Sequence, residues 1–182
     1  SFFIIFEMSF EEALRQKILF VKRYLNVAWR KTDKGSFITS EGNVYDFNFE
    51  KVLCTKDIIP ELKKILISEK PSKTLDKELV LKAFNLMEHI NRNSEMLLSP
   101  LADDAGQDTL FAYYNDKLIP LATAGDETGS VDCNEVNQIL NILHEVDFYT
   151  WTLSDRMLSI EQIKQSRFGI DKKLKIFEED FF

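Results

Sequence analysis

Between Lys34 and Phe49 the apolar residues fall into a period of two. Phe37 and Thr39, then Val44 to Phe49, alternate around the turn residues Ser40-Glu41-Gly42-Asn43, the pattern of a β-hairpin. A second alternating pair, Thr109 to Tyr114 and Lys117 to Ala122, flanks the tight turn Asn115-Asp116. Hairpins mean antiparallel pairing, and this excludes a purely helical or doubly wound parallel chain. On the second strand of the first hairpin Tyr45, Phe47 and Phe49 share one face and Val44, Asp46 and Asn48 the other. The aromatic face is expected in the core and the polar pair Asp46 and Asn48 in water.

Helical spacing fills much of the rest. Ser9 with Glu12 has capping-box spacing, and Phe10, Ala13, Leu14, Ile18, Val21, Leu25 and Ala28 recur at three- and four-residue intervals. This predicts one helix from Ser9 to Ala28 with a solvated basic face carrying Arg15, Lys17, Lys22 and Arg23. Further helices are predicted over Asp57 to Ile67, with Pro60 in the first turn, and over Leu75 to Arg92. Asp132 with Glu135 repeats the capping-box spacing ahead of Val136, Ile139, Leu140 and Leu143, and Ile160 to Arg167 reads as a short helix. Phe2 to Phe6 and Phe148 to Leu153 read as strands, whereas Ser68 to Thr74, Leu98 to Gly106 and Gly125 to Ser130 read as connections. The expected architecture is one α+β domain, an antiparallel β-sheet built from hairpins and packed against several α-helices. Met8 offers an alternative start that would make residues 1–7 an upstream or appended segment, and the chain alone leaves both readings open.

Charge narrows the function. A net charge of −7 and a pI near 5.0 argue against coating nucleic-acid phosphate, which needs a basic footprint. The acids crowd the later half. From Asp103 to Asp147 they are Asp103, Asp104, Asp108, Asp116, Asp126, Glu127, Asp132, Glu135, Glu145 and Asp147, with Lys117 the only lysine or arginine. Such a field steers a cationic partner. The partner-binding residues expected from it are Asp103, Asp104, Asp108, Asp126, Glu127 and Asp132. Cys54 and Cys133 could close at most one bridge, so reduced thiols in a cytoplasmic protein are expected. No segment has the length of a membrane span.

No catalytic spacing stands out. The run Asp126 to Glu135 matches the later part of an EF-hand loop, but the first ligand position falls on Ala124 and the preceding segment reads as a strand broken by Pro120 instead of an entering helix. Cys133 and His144 lie eleven residues apart on one predicted helix, roughly 16 Å along its axis, too far for a nucleophile and its base. His89 has no second ligand at metal spacing. No catalytic residue, metal or cofactor is therefore expected. Two other classes stay open: a small carboxylate- or metal-dependent hydrolase using Asp103, Asp104 and Asp108, and a structural or regulatory module dimerising through Phe2 to Phe6 or the terminal phenylalanines.

The string Phe37-Ile38-Thr39-Ser40-Glu41-Gly42-Asn43-Val44-Tyr45-Asp46-Phe47, with Asp104-Ala105-Gly106 before a hairpin and Gly125-Asp126 before a helix, resembles small bacterial immunity proteins of contact-dependent growth inhibition and polymorphic toxin systems. The likeness covers the first hairpin and part of the later half. It implies a non-enzymatic inhibitor, a cognate toxin domain as partner, a monomer or weak homodimer, and the cytoplasm of the producing cell. That class spans several folds without a shared binding motif, so no residue is carried over.

Overall fold

Nine antiparallel strands form one continuous sheet in the computed structural model, which describes residues 9–28, 31–52, 57–100, 106–148, 160–165 and 169–178. In chain order the elements are α1 (Phe10–Arg15), β1 (Ile18–Asn26), β2 (Thr32–Thr39), β3 (Asn43–Phe49), α2 (Ile59–Ser68), β4 (Lys73–Thr74), α3 (Lys77–Asn85, continued by a 3₁₀ turn Leu86–His89), β5 (Glu95–Pro100), β6 (Gln107–Tyr114), β7 (Lys117–Gly125), β8 (Glu127–Val131), α4 (Asn134–Glu145), α5 (Ile160–Gln165) and β9 (Lys172–Lys175). The strand order is β4-β3-β2-β1-β6-β7-β8-β5-β9. This is the expected α+β domain. The predicted strands Phe2 to Phe6 and Phe148 to Leu153 (beyond Phe148 itself), Cys54 and the terminal phenylalanines lie outside the described residues. No helix among the described residues is long and apolar enough to cross a membrane.

Both faces of the sheet are covered. Phe20, Ile38, Val44, Leu110 and Leu121 pack with Val80, Met87, Ile139 and Leu143 of the α3–α4 layer, while Val21, Phe37, Tyr45, Phe47 and Phe111 pack with Ile59, Leu62 and Leu66 of α2. Tyr45 and Phe47 therefore enter a core as expected, and Phe37 stacks on Tyr45 with ring centroids 5.2 Å apart. Asp46 and Asn48 meet solvent as expected, and Val44 on their face is buried in the opposite core.

The predicted first helix is the largest correction. Its cap forms, with Ser9 Oγ accepting from the Glu12 amide and Glu12 returning the bond, but the helix ends at Arg15 and β1 begins at Ile18. A strand buried on both faces reads as an unbroken apolar run, here Ile18 to Val21, and such a run mimics helical spacing. Gln16 fixes the switch. It is buried, donates to the Tyr45 hydroxyl, and accepts from Thr39 Oγ1 at 2.6 Å and Asn43 Nδ2 at 2.9 Å. Nor is the basic face solvated throughout, because Arg23 is 1% exposed and paired with Asp33.

Smaller corrections lie in the later half. Leu98 to Gly106, read as a connection, starts inside β5, whose Leu98, Ser99 and Pro100 pair with β8. Glu127–Val131, read as part of a loop, is a strand between β7 and β5 whose Thr128, Gly129 and Ser130 are buried. The second capping box does not form: the N-cap of α4 is Cys133, without a side-chain bond, and Asp132 pairs with Lys164. Pro120 does not break β7, because the register slips there to pair Leu110 with Ala122 and Phe111 with Pro120, and a β-bulge spares the missing donor. The β6–β7 turn holds Asn115 and Asp116 at φ 50° and 60°. An L side chain is strained at such angles, so Asp116→Gly is expected to raise unfolding free energy by about 1 kcal/mol in urea titrations.

Candidate functional site

Register brings part of the acidic stretch together. Tyr24 pairs with Asp108 and Asp108 with Ala124, while Leu25 pairs with Gln107 and Gln107 with Gly125. Asp126 then donates its amide to the Gly106 carbonyl at 3.0 Å, and Glu127 pairs across to Pro100. Asp108, Asp126 and Glu127 thus share one end of the sheet, on three neighbouring strand ends. Gln107 clamps them. Its Nε2 donates to the Glu127 carbonyl at 2.7 Å and to Thr123 Oγ1, and its Oε1 accepts from the Glu127 amide at 3.1 Å. Gly125, at φ 144°, has no room for a Cβ against the Gly106 carbonyl.

The rim is not uniformly negative. Lys22 reaches Asp108 at 3.5 Å, and both side chains are about one-fifth exposed. The Glu127 carboxylate, half-buried, forms no ion pair among the described residues. Behind the rim Arg23 Nε and Nη2 meet Asp33 Oδ1 and Oδ2 at 2.8 and 2.7 Å. This buried bidentate pair begins a polar row across the sheet, in which Arg23 pairs with Thr109, Thr109 with Thr123 and Thr123 with Gly129. The two threonine hydroxyls lie 2.9 Å apart.

The remaining predicted acids do not join the rim. Asp132 sits at the other end of the five-residue β8, paired with Lys164 at 3.7 Å. Asp103 and Asp104 lie outside the described residues, between the rim positions Pro100 and Gly106. Asp116 is at the opposite hairpin tip and Asp147 pairs with Lys73. A stretch contiguous in sequence is divided between two ends of the sheet. Missed from the sequence were the Arg23–Asp33 pair and the Gln107 clamp. Alternation within β1, had it been read as a strand, would have set Arg23 among Val21 and Leu25 on one face.

Other chemistry finds little geometry. Burial, foremost, pushes the Cys133 thiol up, the Val136 amide draws it back in part and the Glu135 carboxylate adds to the rise, so it stays protonated near neutrality and is a poor nucleophile. Its former partner His144 is exposed near the far end of α4. In the EF-hand register Ala124 is buried in β7 and Gly129 lies within a strand. Among the described residues no group of three or more His, Cys, Asp or Glu could hold a metal ion.

No protein-family model, curated protein or solved structure matches the chain.

Proposed function

We propose that this protein is a non-enzymatic inhibitor that binds and neutralises a cationic partner, a cognate toxin domain, through the acidic end of its sheet. The observation that carries this reading is the placement of Asp108, Asp126 and Glu127 on adjacent strand ends, with the Glu127 backbone held by Gln107. Backbone paired in a sheet fixes where the three carboxylates start, so a cationic cleft meets a preformed arrangement of charge. A nuclease cleft evolved for phosphate has the matching sign. Asp132, at the other end of β8, contacts the partner only in a footprint that spans that strand. The proposed setting is the cytoplasm of the producing cell.

The test uses the full chain and the C-terminal domain encoded by the reading frame immediately upstream. Replacing Asp126 with Asn and Glu127 with Gln is expected to slow association about tenfold at low salt and to flatten its dependence on ionic strength, with dissociation changed less. Stopped-flow mixing reads both rates. Association that ignores the double substitution and is insensitive to salt would remove the rim from the interface.

A further inference from the structure

The opposite end of the sheet carries a second site. Pairing between β1 and β6 runs only from Phe20 with Ala112 to Leu25 with Gln107. A register shift between Ile18 and Phe20 diverts the start of β1 towards β2, where Ile18 meets Thr39. Tyr113 and Tyr114, which still pair with β7, have no β1 partner. The sheet splits along this seam, and a cavity of about 650 Å³ opens there, a size suited to one small molecule.

The lining has two kinds of wall. Ile18, Leu19, Leu66, Phe84, Tyr113 and Tyr114 supply apolar and aromatic surface, with Phe84 and Tyr114 edge to face at 6.1 Å. Lys17 and Lys63 bring two ammonium groups, and Asp116 one carboxylate, so the charged groups leave a surplus of one positive charge. Neither lysine forms an ion pair among the described residues. Gln16 also touches the cavity, but its amide is engaged by Tyr45, Thr39 and Asn43. Ring surface beside unpaired cations suits a flat, singly charged anion.

We propose that this seam cleft binds a small aromatic carboxylate, its ring against Phe84 and Tyr114 and its carboxylate at Lys17 and Lys63. The cleft lies six residues along β6 from Asp108, roughly 20 Å, so it is separate from the acidic rim and does not depend on the inhibitor reading. Tyr113 stays a hydrogen-bond donor, because burial first, and then the Asp116 and Asp57 carboxylates, push its phenol up from 10.0.

The full chain titrated with anilinonaphthalene sulfonate, a flat aromatic monoanion, should show one saturable site, with phenylbutyrate displacing the probe. Lys17→Gln and Lys63→Gln, both at exposed positions, should each weaken binding about tenfold. Asp116→Asn should tighten it, and Lys172→Gln, on the edge strand β9, should change nothing. On the unaltered chain binding should weaken as salt rises. Affinity untouched by both lysine substitutions, or independent of salt, overturns the site. Displacement by neutral phenylbutyramide equal to that by phenylbutyrate overturns the anion, and displacement by decanoate but not phenylbutyrate overturns the aromatic ligand.

Discussion

Replacing Asp33 with alanine is expected to destabilise the protein by about 3–5 kcal/mol, read as a shift of the urea midpoint with the slope unchanged. Asp33 is fully buried, and both its oxygens accept from Arg23 at 2.7 and 2.8 Å. Removing the carboxylate leaves a guanidinium inside the sheet without its countercharge, and that desolvation cost exceeds anything lost in packing. Arg23→Met should cost a similar amount for the converse reason. The double replacement Arg23→Met with Asp33→Leu should recover much of the loss, because an apolar pair needs no countercharge. Strictly additive losses in that cycle would show that the two groups contribute independently, contrary to the bidentate geometry.

Gly129→Ala should be nearly as damaging, at about 3 kcal/mol. A Cβ there would overlap the Leu97 carbonyl of the adjacent strand, and backbone cannot rotate aside as a side-chain tip can. Strands β8 and β5 would have to part, opening the ladder that pairs Leu98 with Gly129. Gly169 supplies the comparison. At φ 59° with nothing near its added Cβ, Gly169→Ala should cost only about 1 kcal/mol, from backbone strain alone. Equal losses at both positions in matched urea titrations would mean that close approach is not what selects glycine at position 129.

Both hairpins were legible because alternation with a turn sequence is local. The strands β2–β3 and β6–β7 and the helices α2, α3 and α4 all fall where the periodicity places them, although the cap expected at α4 does not form. What failed was β1, since Ile18 to Val21 are buried whichever way the chain is wound, β8, whose Thr-Gly-Ser sequence carries loop composition into the middle of the sheet, and β5, whose Leu98 to Pro100 were read as the start of a connection. All three are internal strands whose identity comes from neighbours distant in sequence. The acid stretch was visible as composition. Its division was not, because it depends on β8 carrying the chain from the Asp126 end to the Asp132 end. The seam cleft had no sequence signal, since it arises from a register shift between two strands.

The strand order also constrains how the molecule assembles. β1 and β6 are neighbours although residues 27–106 separate them, and β5 is emitted before both strands that flank it, β8 and β9. The two local hairpins can close early, but joining them waits for long-range pairing, which carries a large loop-closure entropy. β5 keeps unsatisfied edges until the chain has reached Lys175, so refolding should be slow and hold a late phase in which the ladder of Glu95–Pro100 gains hydrogen-exchange protection last.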